Sequence, residues 1–413
     1  MTNQCDRPEV PLLPYDEALA ELTSHITALA GVTQKPLMQA LGEVLAESQQ
    51  ASINVPPADN SAMDGYAFNT SDLNLQGDTI LPVSQRIAAG EAGVRLTPGT
   101  AARIFTGAPI PEAANAVIMQ EQVELENNHI RFQRNVEAGN NIRPQGNDIQ
   151  AGQIILQKGN RLRAQDIGLA ASVGLQTLPV FEKIRVGMFF TGDELVEPGQ
   201  PLAPGQIYDS NRYMLYGLLK SLGCEIVDLG LVGDTLEATK KAMLEASTKA
   251  DLVVTCGGVS VGEEDHVRIA IEQLGDLFMW RLRIKPGKPL AFGKINNTSF
   301  IGLPGNPVSV FATFCLFVSP VIKTLQGRNW QKPLAVQVKS AFDWPKPDSR
   351  REFLRARLEP GINGEPVVTI YNNQDSGVLT STVWGQGLVE IAEGQTLRAG
   401  DLVNYLSYSQ FLA

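Results

Sequence analysis

Cysteine and histidine are scarce in this sequence of 413 residues, and neither is clustered. No two cysteines form the Cys-x-x-Cys pair that is typical of redox and zinc sites. The scatter disfavours a structural zinc site, because four nitrogen or sulfur ligands would have to lie close together. It predicts free, reduced thiols, as in cytosolic proteins. The residues concerned are Cys5, Cys224, Cys256 and Cys315, with His25, His129 and His266.

The sequence also lacks an excess of basic residues. It has 34 lysines and arginines against 44 acidic residues, which gives a net charge of −10. Because nucleic-acid-binding surfaces are basic, we predict no nucleic-acid partner. A local basic pocket for a small anion remains compatible with this composition.

No hydrophobic stretch is long enough to predict a membrane span. The most apolar segment, residues 307–322, has 16 residues and contains three hydroxyl side chains, whereas a spanning helix needs about 20. We therefore predict a buried core helix in this segment. Residues 1–11 are polar and have no apolar signal-peptide region, so we expect a cytoplasmic protein without membrane contact.

The known nucleotide-binding fingerprints are missing as well. The Gly257-Gly258 pair fits neither G-x-G-x-x-G nor G-x-x-x-x-G-K-[ST]. No internal repeat or low-complexity tract is present. What is present is a chain long enough for roughly two to four domains.

The first 182 residues predict a discontinuous domain with an insert. Two helical patterns come first, and Asp16 is placed to cap the first of them. Four short β runs separated by Gly, Pro and Asn follow, and a third helical pattern ends the region. We predict an N-terminal α/β domain of residues 10–55 and 143–182, interrupted by a β-rich insert of residues 56–142. The helical patterns are 16–26, 37–45 and 162–173, and the β runs are 79–83, 101–105, 116–120 and 129–132.

From residue 183 the pattern changes to alternating strands and helices. The spacing is that of βαβ units, so we predict an α/β domain over residues 183–328 with a parallel sheet covered on both faces. No convincing helical pattern follows Gly327. Five β runs there predict a β-barrel-like domain over residues 329–413. The predicted strands are 185–190, 225–230, 252–254, 282–284 and 300–303, then 335–338, 353–356, 367–371, 388–391 and 402–406.

Charged and glycine-rich loops follow the strands of the α/β domain. In a parallel sheet such loops share the carboxyl edge, where open α/β folds bind ligands. Residues 255–265 form a glycine-rich turn between a strand and a helix, whose backbone N–H groups favour an anion. Carboxylates can hold a hard divalent cation, while lysines and these N–H groups neutralise a phosphate or oxyanion. The side chains expected at this edge are Asp193, Glu194, Asp234, Glu263, Glu264, Asp265, Lys285 and Lys288.

Each of these side chains also has a purely structural explanation. Three of the aspartates are placed like helix N-caps, and single lysines are usually solvated charges. Three aspartates on one edge, beside two glycine-rich turns, favour a site over three separate caps. Cys256 is interpreted as a small core residue, because a catalytic thiol needs a basic partner. Spacing alone therefore predicts metal-assisted chemistry on a phosphorylated or oxyanionic small molecule, without naming it.

Six motifs carry a family resemblance. In chain order they are Asp59-Asn-Ser-Ala-Met-Asp-Gly-Tyr66, Thr106-Gly-Ala-Pro109, Thr191-Gly-Asp-Glu-Leu195, Gly257-Gly-Val-Ser-Val-Gly262, Ile284-Lys-Pro-Gly-Lys-Pro289 and Gly302-Leu-Pro-Gly-Asn-Pro307. Together they resemble the molybdopterin molybdenumtransferases, the MoeA family, whose relatives include the gephyrin E domain. The resemblance covers nearly the whole chain and is least sharp at its C-terminal end. It implies a MogA-like α/β domain, and a homodimer of elongated four-domain subunits whose active cleft draws on both.

The resemblance implies the last step of molybdenum cofactor biosynthesis. In that step adenylylated molybdopterin is cleaved with Mg²⁺, molybdate is inserted at the dithiolene sulfurs, and AMP is released. Phosphoanhydride cleavage needs stabilisation of the charge that develops on phosphate oxygens, which Mg²⁺ and lysines provide. Transient contacts with other molybdenum cofactor biosynthesis proteins are also expected, because the product is unstable.

Matching motifs imply roles for single residues. Glu194, Asp234 and Asp265 are similar to acidic residues at the nucleotide and metal end, and are predicted metal ligands. Lys285 and Lys288 are similar to contacts of the pterin phosphate or molybdate, and all five are predicted catalytic residues. The substrate-binding residues implied are Asp64, Thr106, Asp148, Gly257, Gly258, Ser260, Arg281, Pro304, Pro307, Arg350 and Ser376.

The resemblance assigns more specific roles to two groups of these residues, and at two positions the sequence departs from the family pattern. The group of Asp64, Thr106 and Asp148 is expected to act across the dimer, and Arg350 with Ser376 is expected to bind molybdate. Arginine at position 281 replaces the lysine of close bacterial relatives, which exchanges a point charge for a rigid fork. Cysteine at position 256 replaces a common serine.

Other functions stay open from the sequence alone. A molybdopterin adenylyltransferase has a single domain that resembles residues 183–328, but the extra N-terminal residues and β tail favour the molybdenumtransferase. A scaffold could use the same fold to bind a peptide, as the animal relative does, although the intact carboxylates favour an enzyme. A pyrophosphatase or deamidase built on this domain is a minor alternative.

Overall fold

The structure is a computed structural model that describes residues 12–29, 31–133, 135–259 and 266–413. Within these residues the chain forms three six-stranded sheets and four two-stranded ribbons. The sheets belong to successive parts of the chain, and each part has its own hydrophobic core.

The first elements are short. They are α1 (Tyr15–Ser24), β1 (Val32–Pro36), α2 (Leu37–Ala40), β2 (Gln49–Gln50) and β3 (Asn60–Ser61). The prediction that Asp16 caps α1 is wrong, because Pro14 holds the N-cap position and the Asp16 carboxylate pairs with Lys332 and Arg351. The helix predicted over residues 37–45 is also wrong beyond its first turn. An extended Leu41 and Gly42 at φ +80° end α2.

The next part is a β insert of residues 65–132. Its elements are β4 (Gly65–Phe68), β5 (Thr79–Ile87), β6 (Ala101–Ile104), β7 (Ala116–Met119), β8 (Glu124–Glu126) and β9 (His129–Phe132), with 3₁₀ turns at Thr70–Asp72 and Gln120–Gln122. The strands are ordered β7-β4-β6-β5-β9-β8. All four predicted β runs form strands, whereas β4 and β8 were not predicted.

The chain then returns to pair with its own beginning. The returning elements are β10 (Ile142–Arg143), β11 (Ile154–Leu156), α3 (Ala164–Ser172) and β12 (Thr177–Phe181). Strands β10, β11 and β12 pair antiparallel with β3, β2 and β1. We call residues 32–61 and 142–181 the split module. These pairings support our proposal of a discontinuous domain of residues 10–55 and 143–182 around an insert of residues 56–142.

The α/β domain (residues 185–325) follows. Its elements are β13 (Arg185–Thr191), β14 (Leu195–Val196), β15 (Ile207–Tyr208), α4 (Ser210–Ser221), β16 (Glu225–Val232), α5 (Leu236–Lys249), β17 (Leu252–Cys256), α6 (His266–Leu274), β18 (Gly275–Arg281), β19 (Ile284–Lys285), β20 (Pro289–Ile295), β21 (Thr298–Leu303), α7 (Pro307–Thr313), a π-helical turn (Phe314–Val318) and α8 (Ser319–Leu325). The main sheet has the order β16-β13-β17-β21-β20-β18. Four strands are parallel, which confirms the α/β prediction.

Two features of this sheet depart from the prediction. Strands β20 and β18 run antiparallel at one edge, so the sheet is mixed rather than wholly parallel. The strand predicted at residues 282–284 is wrong, because only Ile284–Lys285 is extended there, and it pairs with a different sheet. The partner of β19 lies more than 60 residues later in the chain, where local propensity decides little. Strands β20 and β21, by contrast, form a local hairpin that pairs Ile295 with Thr298 across Asn296-Asn297, a turn signal that the prediction did not use.

Helices cover both faces of the sheet. Helices α5 and α6 pack on one face, and α1, α4, α7 and α8 pack on the other. The helical stretch Pro307–Leu325 is longer than predicted, with 19 residues and a mean hydropathy of 1.8, so it is long and apolar enough to span a membrane. It is 94% buried inside the protein, which confirms the predicted core helix.

The last part is a closed barrel (residues 336–407). Its elements are β22 (Val336–Ser340), β23 (Arg351–Pro360), β24 (Pro366–Ile370), α9 (Thr380–Trp384), β25 (Gly387–Ile391) and β26 (Leu402–Ser407), followed by α10 (Tyr408–Leu412). Five strands close in the order β23-β24-β22-β26-β25, which confirms the predicted barrel. The expectation of no helix after Gly327 is wrong, since α9 and α10 are present. We propose domain boundaries at residues 183–328 and 329–413.

The core of the α/β domain makes a simple stability prediction. The Phe317 side chain is fully buried, and its ring meets Tyr15 of α1 edge-on at 5.5 Å between centroids. Phe317→Ala would leave a cavity that costs roughly 3–5 kcal/mol. We expect a clearly lower melting temperature by calorimetry. Ile362→Ala is the control, because Ile362 is fully exposed, and an equal loss in both variants would contradict this packing.

Candidate functional site

The carboxyl edge of the parallel strands faces the barrel across a cleft of about 590 Å³. Strands β13, β16, β17 and β21 end at this edge. Strand β20 begins there, because it is antiparallel to β21. The loop from Lys285 to Lys288 therefore reaches the site by preceding an antiparallel strand, and not by following a parallel one as the sequence argument assumed.

The cleft collects most of the residues singled out from the sequence. Its lining includes Glu194, Asp234, Gly257, Gly258, Lys285, Lys288, Pro304, Arg350 and Ser376. Pro307 begins α7 directly behind this lining. Ser260, Glu263, Glu264 and Asp265 lie outside the described residues. A larger cavity of about 710 Å³ lies between the split module and the end of α8, and it is lined by none of the predicted site residues that the structure describes.

The acidic side of the cleft consists of Glu194 and Asp234. Glu194 follows β13 and is exposed, whereas Asp234 follows β16 and is half-buried. No group of three His, Cys, Asp or Glu residues that could hold a metal ion occurs among the residues that the structure describes. Two carboxylates are nevertheless sufficient for Mg²⁺, which is usually held by one or two carboxylates, waters and substrate phosphates.

The glycine-rich loop after β17 must pass very close to the end of β13. Gly257 has φ +90°, and a Cβ added there would lie 2.7 Å from the carbonyl oxygen of Thr191. Only glycine satisfies both constraints. Cys256, just before it, is buried. Burial, with the nearby Asp209 charge, raises the pKa of its thiol well above the usual value, which confirms Cys256 as a core residue.

Lys285 is the basic residue most strongly tied to the barrel. Strand β19 pairs in parallel with β23, which places Lys285 beside Glu352. The Lys285 Nζ atom lies 2.7 Å from Glu352 Oε1 and 3.3 Å from Asp348 Oδ2. Burial by itself lowers the pKa of Lys285, but the two carboxylates outweigh it, and the net shift is upward. Lys285 is therefore a cation at neutral pH, held beside the barrel by these two carboxylates.

Arg350 completes the ion-pair group. Its guanidinium donates from Nε and Nη2 to the two carboxylate oxygens of Asp348, at 3.0 and 2.9 Å. These bonds, opposed by burial, hold the pKa of Asp348 well below its usual range. A bidentate pair of this kind fixes the arginine in one orientation, and Arg350 is one of the residues that line the cleft.

Ser376 belongs to a loop of the barrel that docks on the start of α7. Asn306 donates to Ser376 Oγ at 2.8 Å, and the Val308 N–H donates to the Ser376 carbonyl oxygen at 3.1 Å. The loop is held from behind by the buried Arg355, whose Nη2 donates to the Asp375 carbonyl oxygen at 3.1 Å. Burial lowers the pKa of Arg355 to about 10, so it stays charged at neutral pH.

Four predicted substrate residues lie away from this lining. Asp64 and Thr106 meet in the β insert, where the Thr106 N–H and hydroxyl both donate to Asp64 Oδ1 at 2.8 Å. The backbone bond, then the hydroxyl bond, lower the pKa of Asp64. Asp148 is exposed beside Val55 in the split module. Arg281 ends β18, and its carbonyl oxygen accepts from Leu13.

Several cleft residues were missed by the sequence analysis. Those that line or support the cleft are Asn306, Asp348, Glu352, Arg355, Gln374 and Asp375. Asn306 was available inside the motif from Pro304 to Pro307. The charged segment Asp348-Ser-Arg-Arg-Glu352 was also visible just before a β run, although nothing local shows that it faces Lys285.

The depressed pKa of Asp348 makes stability at this contact depend on pH. A carboxyl group whose pKa is lowered by folding adds stability above its unfolded pKa of about 4, and that stability is lost as the pH falls further. Asp348→Asn should therefore lower the melting temperature at pH 7. The difference from the unmodified protein should shrink below about pH 4. A difference that is independent of pH would contradict the ion-pair account.

Comparison with known proteins places these observations in a family. The chain matches the "MoeA N-terminal region (domain I and II)" over residues 13–174, the "Probable molybdopterin binding domain" over residues 187–324 and the "MoeA C-terminal region (domain IV)" over residues 337–408. These matches together account for most of the chain.

Individual relatives cover the chain almost completely. The molybdopterin molybdenumtransferase of Haemophilus influenzae is 38% identical over 405 residues, which is 97% of this chain and 100% of the relative. That of a Nostoc species is 38% identical over 326 residues, covering 76% of this chain and 74% of the relative. The crystal structure of the molybdopterin biosynthesis moeA protein from Pyrococcus horikoshii OT3 superposes with a TM-score of 0.84 at 32% identity, covering 96% and 100% of the two chains. The chain belongs to the MoeA family.

Proposed function

We propose that this protein is a molybdopterin molybdenumtransferase, which cleaves adenylylated molybdopterin, inserts molybdenum from molybdate and releases AMP. One observation carries the proposal. A single cleft holds carboxylates at one end, Glu194 and Asp234, and basic and hydroxyl groups at the other. The names of the relatives in Haemophilus influenzae and Nostoc support this activity.

The basic end of the cleft is suited to a tetrahedral dianion such as molybdate. Lys285 and Arg350 are held in fixed positions by ion pairs, so they lose little freedom when they donate to a ligand. The Ser376 hydroxyl is held at the same end by Asn306. Lys288 is exposed in the same loop as Lys285 and adds a flexible charge. We propose that these groups orient molybdate beside the pterin.

The carboxylate end is suited to a hard divalent cation. We propose that Glu194 and Asp234 hold Mg²⁺, with Asp265 as a third carboxylate. Such a cation would supply positive charge to the phosphate oxygens of the nucleotide when it is bound. Gly257 and Gly258 would bring backbone N–H groups close to the same phosphates, because neither residue has a side chain to hold them away.

We propose that the protein acts as a cytoplasmic homodimer and passes its unstable product to other molybdenum cofactor biosynthesis proteins through transient contacts. Asp64, Thr106 and Asp148 line no part of the cleft of their own chain, although two of them are joined by two hydrogen bonds. A role for them in the reaction therefore requires a second chain. We propose that they complete the cleft of the partner subunit.

Asp234 gives the first test of the activity. Purified protein is incubated with adenylylated molybdopterin, Mg²⁺ and molybdate, and AMP release is followed by chromatography. Asp234→Asn should lower the rate roughly 100-fold, because charge stabilisation of the phosphates is lost, while light scattering still shows a dimer. Unchanged turnover in this variant would favour a scaffold over an enzyme.

The matched control is Asp276→Asn. Asp276 is exposed on β18, near the end of the sheet opposite the cleft, so its loss should leave AMP release unchanged. A parallel assay supplies free molybdopterin and ATP. Adenylylation in that assay, without AMP release from the adenylylated substrate, would identify an adenylyltransferase and contradict the proposal.

A mixed dimer tests whether the cleft is shared. Asp64→Asn and Asp234→Asn chains are co-expressed with different tags, and the dimer that contains one of each is purified. If each cleft combines Asp234 of one chain with Asp64 of the other, one of the two clefts is intact and about half of the normal activity returns. A mixed dimer as inactive as its parents would show that both residues act within one chain.

A further inference from the structure

Two cations of the cleft, Lys285 and Arg350, are neutralised by carboxylates of the barrel. Lys285 pairs with Glu352 and Asp348, and Arg350 pairs with Asp348. Two positive charges thus face two negative charges. Only part of the donor capacity is used, however. The ammonium group has three N–H donors and the guanidinium has five, so both residues keep donors for a ligand although their charge is offset.

Glu352 is an unusual member of this group because it is almost completely buried, with 2% of its surface exposed. Its other oxygen, Oε2, accepts from the Trp344 indole N–H at 2.7 Å. The carboxylate is therefore clamped between Trp344 and Lys285. Burying a carboxylate is costly even when it is paired, and a neutral amide could accept the same indole hydrogen bond. The negative charge itself therefore calls for an explanation.

We propose that Glu352 is a positioning residue. It holds the Lys285 ammonium group toward the cleft, and its negative charge weakens the attraction of Lys285 for molybdate. This inference rests on the function proposed above. A transferase has to release the anion to the pterin sulfurs, and tight binding of a substrate in its ground state does not raise turnover. Glu352 keeps the Lys285 ammonium group in position, but its negative charge cancels much of the electrostatic field that this group would exert on the ligand.

The test is the molybdate affinity of Glu352→Gln, measured by titration calorimetry on the full-length protein. Glutamine keeps the shape and one hydrogen bond but removes the charge. Lys285 stays protonated at pH 7, because Asp348 remains beside it. We expect the dissociation constant for molybdate to fall about tenfold, with the gain largest at low ionic strength. In the AMP-release assay, KM for molybdate should fall while kcat does not rise.

Three further variants separate charge from structure. Glu352→Asp keeps the charge and should retain a dissociation constant within about threefold of the unmodified protein. Glu393→Gln is the matched control. Glu393 pairs with Arg351, which is the neighbour of Glu352 on β23, and it lines no part of the cleft. If Glu352→Gln does not fold, Asp348→Asn is made in an Arg350→Gln background, where no bidentate pair is left to lose, and it should tighten binding relative to Arg350→Gln alone.

The outcomes distinguish this inference from the proposed function. Tighter binding in Glu352→Gln, with unchanged binding in Glu393→Gln, would support it. Equal or weaker binding in Glu352→Gln would overturn it, because the protein loses affinity for molybdate when a residue with a purely structural role is replaced. If the unmodified protein neither binds molybdate nor releases AMP, the proposed function itself fails.

Discussion

The junction between Lys285 and the barrel is the constraint on which the site depends. Two residues of the α/β domain leave the main sheet and pair with β23 of the barrel, and the Lys285 side chain repeats the link through Glu352 and Asp348. Together with the contacts between the Ser376 loop and the start of α7, this junction places the barrel opposite the carboxyl edge of the sheet. With it, Arg350 and the Ser376 loop face the strand ends across one cleft.

Different contacts hold different parts of the cleft. The basic end is held by ion pairs, a bidentate arginine and hydrogen bonds to the start of α7. The glycine loop after β17 is held by close backbone approach, which Gly257 permits. Fixed donors of this kind suit the binding of an oxyanion, since little reorganisation is needed when the ligand arrives. At the acidic end Glu194 is exposed to solvent, whereas Asp234 is half-buried.

Local patterns in the sequence were informative where the answer depends on neighbouring residues. The four β runs of the insert, the five strands of the barrel and the parallel strands of the α/β domain all follow from alternation and turn residues. The error at Asp16 has a long-range cause. Asp16 resembles a cap by position, but its carboxylate is used by Lys332 and Arg351, which lie more than 300 residues later in the chain.

The sequence by itself determined the family, most of the longer strands and helices and the motifs that contribute to the cleft, because motif spacing and hydrophobic periodicity are local properties. Only the tertiary structure decided that β19 leaves the main sheet to pair with β23, so that Lys285 faces the barrel at the carboxyl edge. It also decided that Glu352 and Asp348 neutralise this edge from the barrel. Such pairings are between residues distant in sequence, and their partners are chosen by packing rather than by local preference.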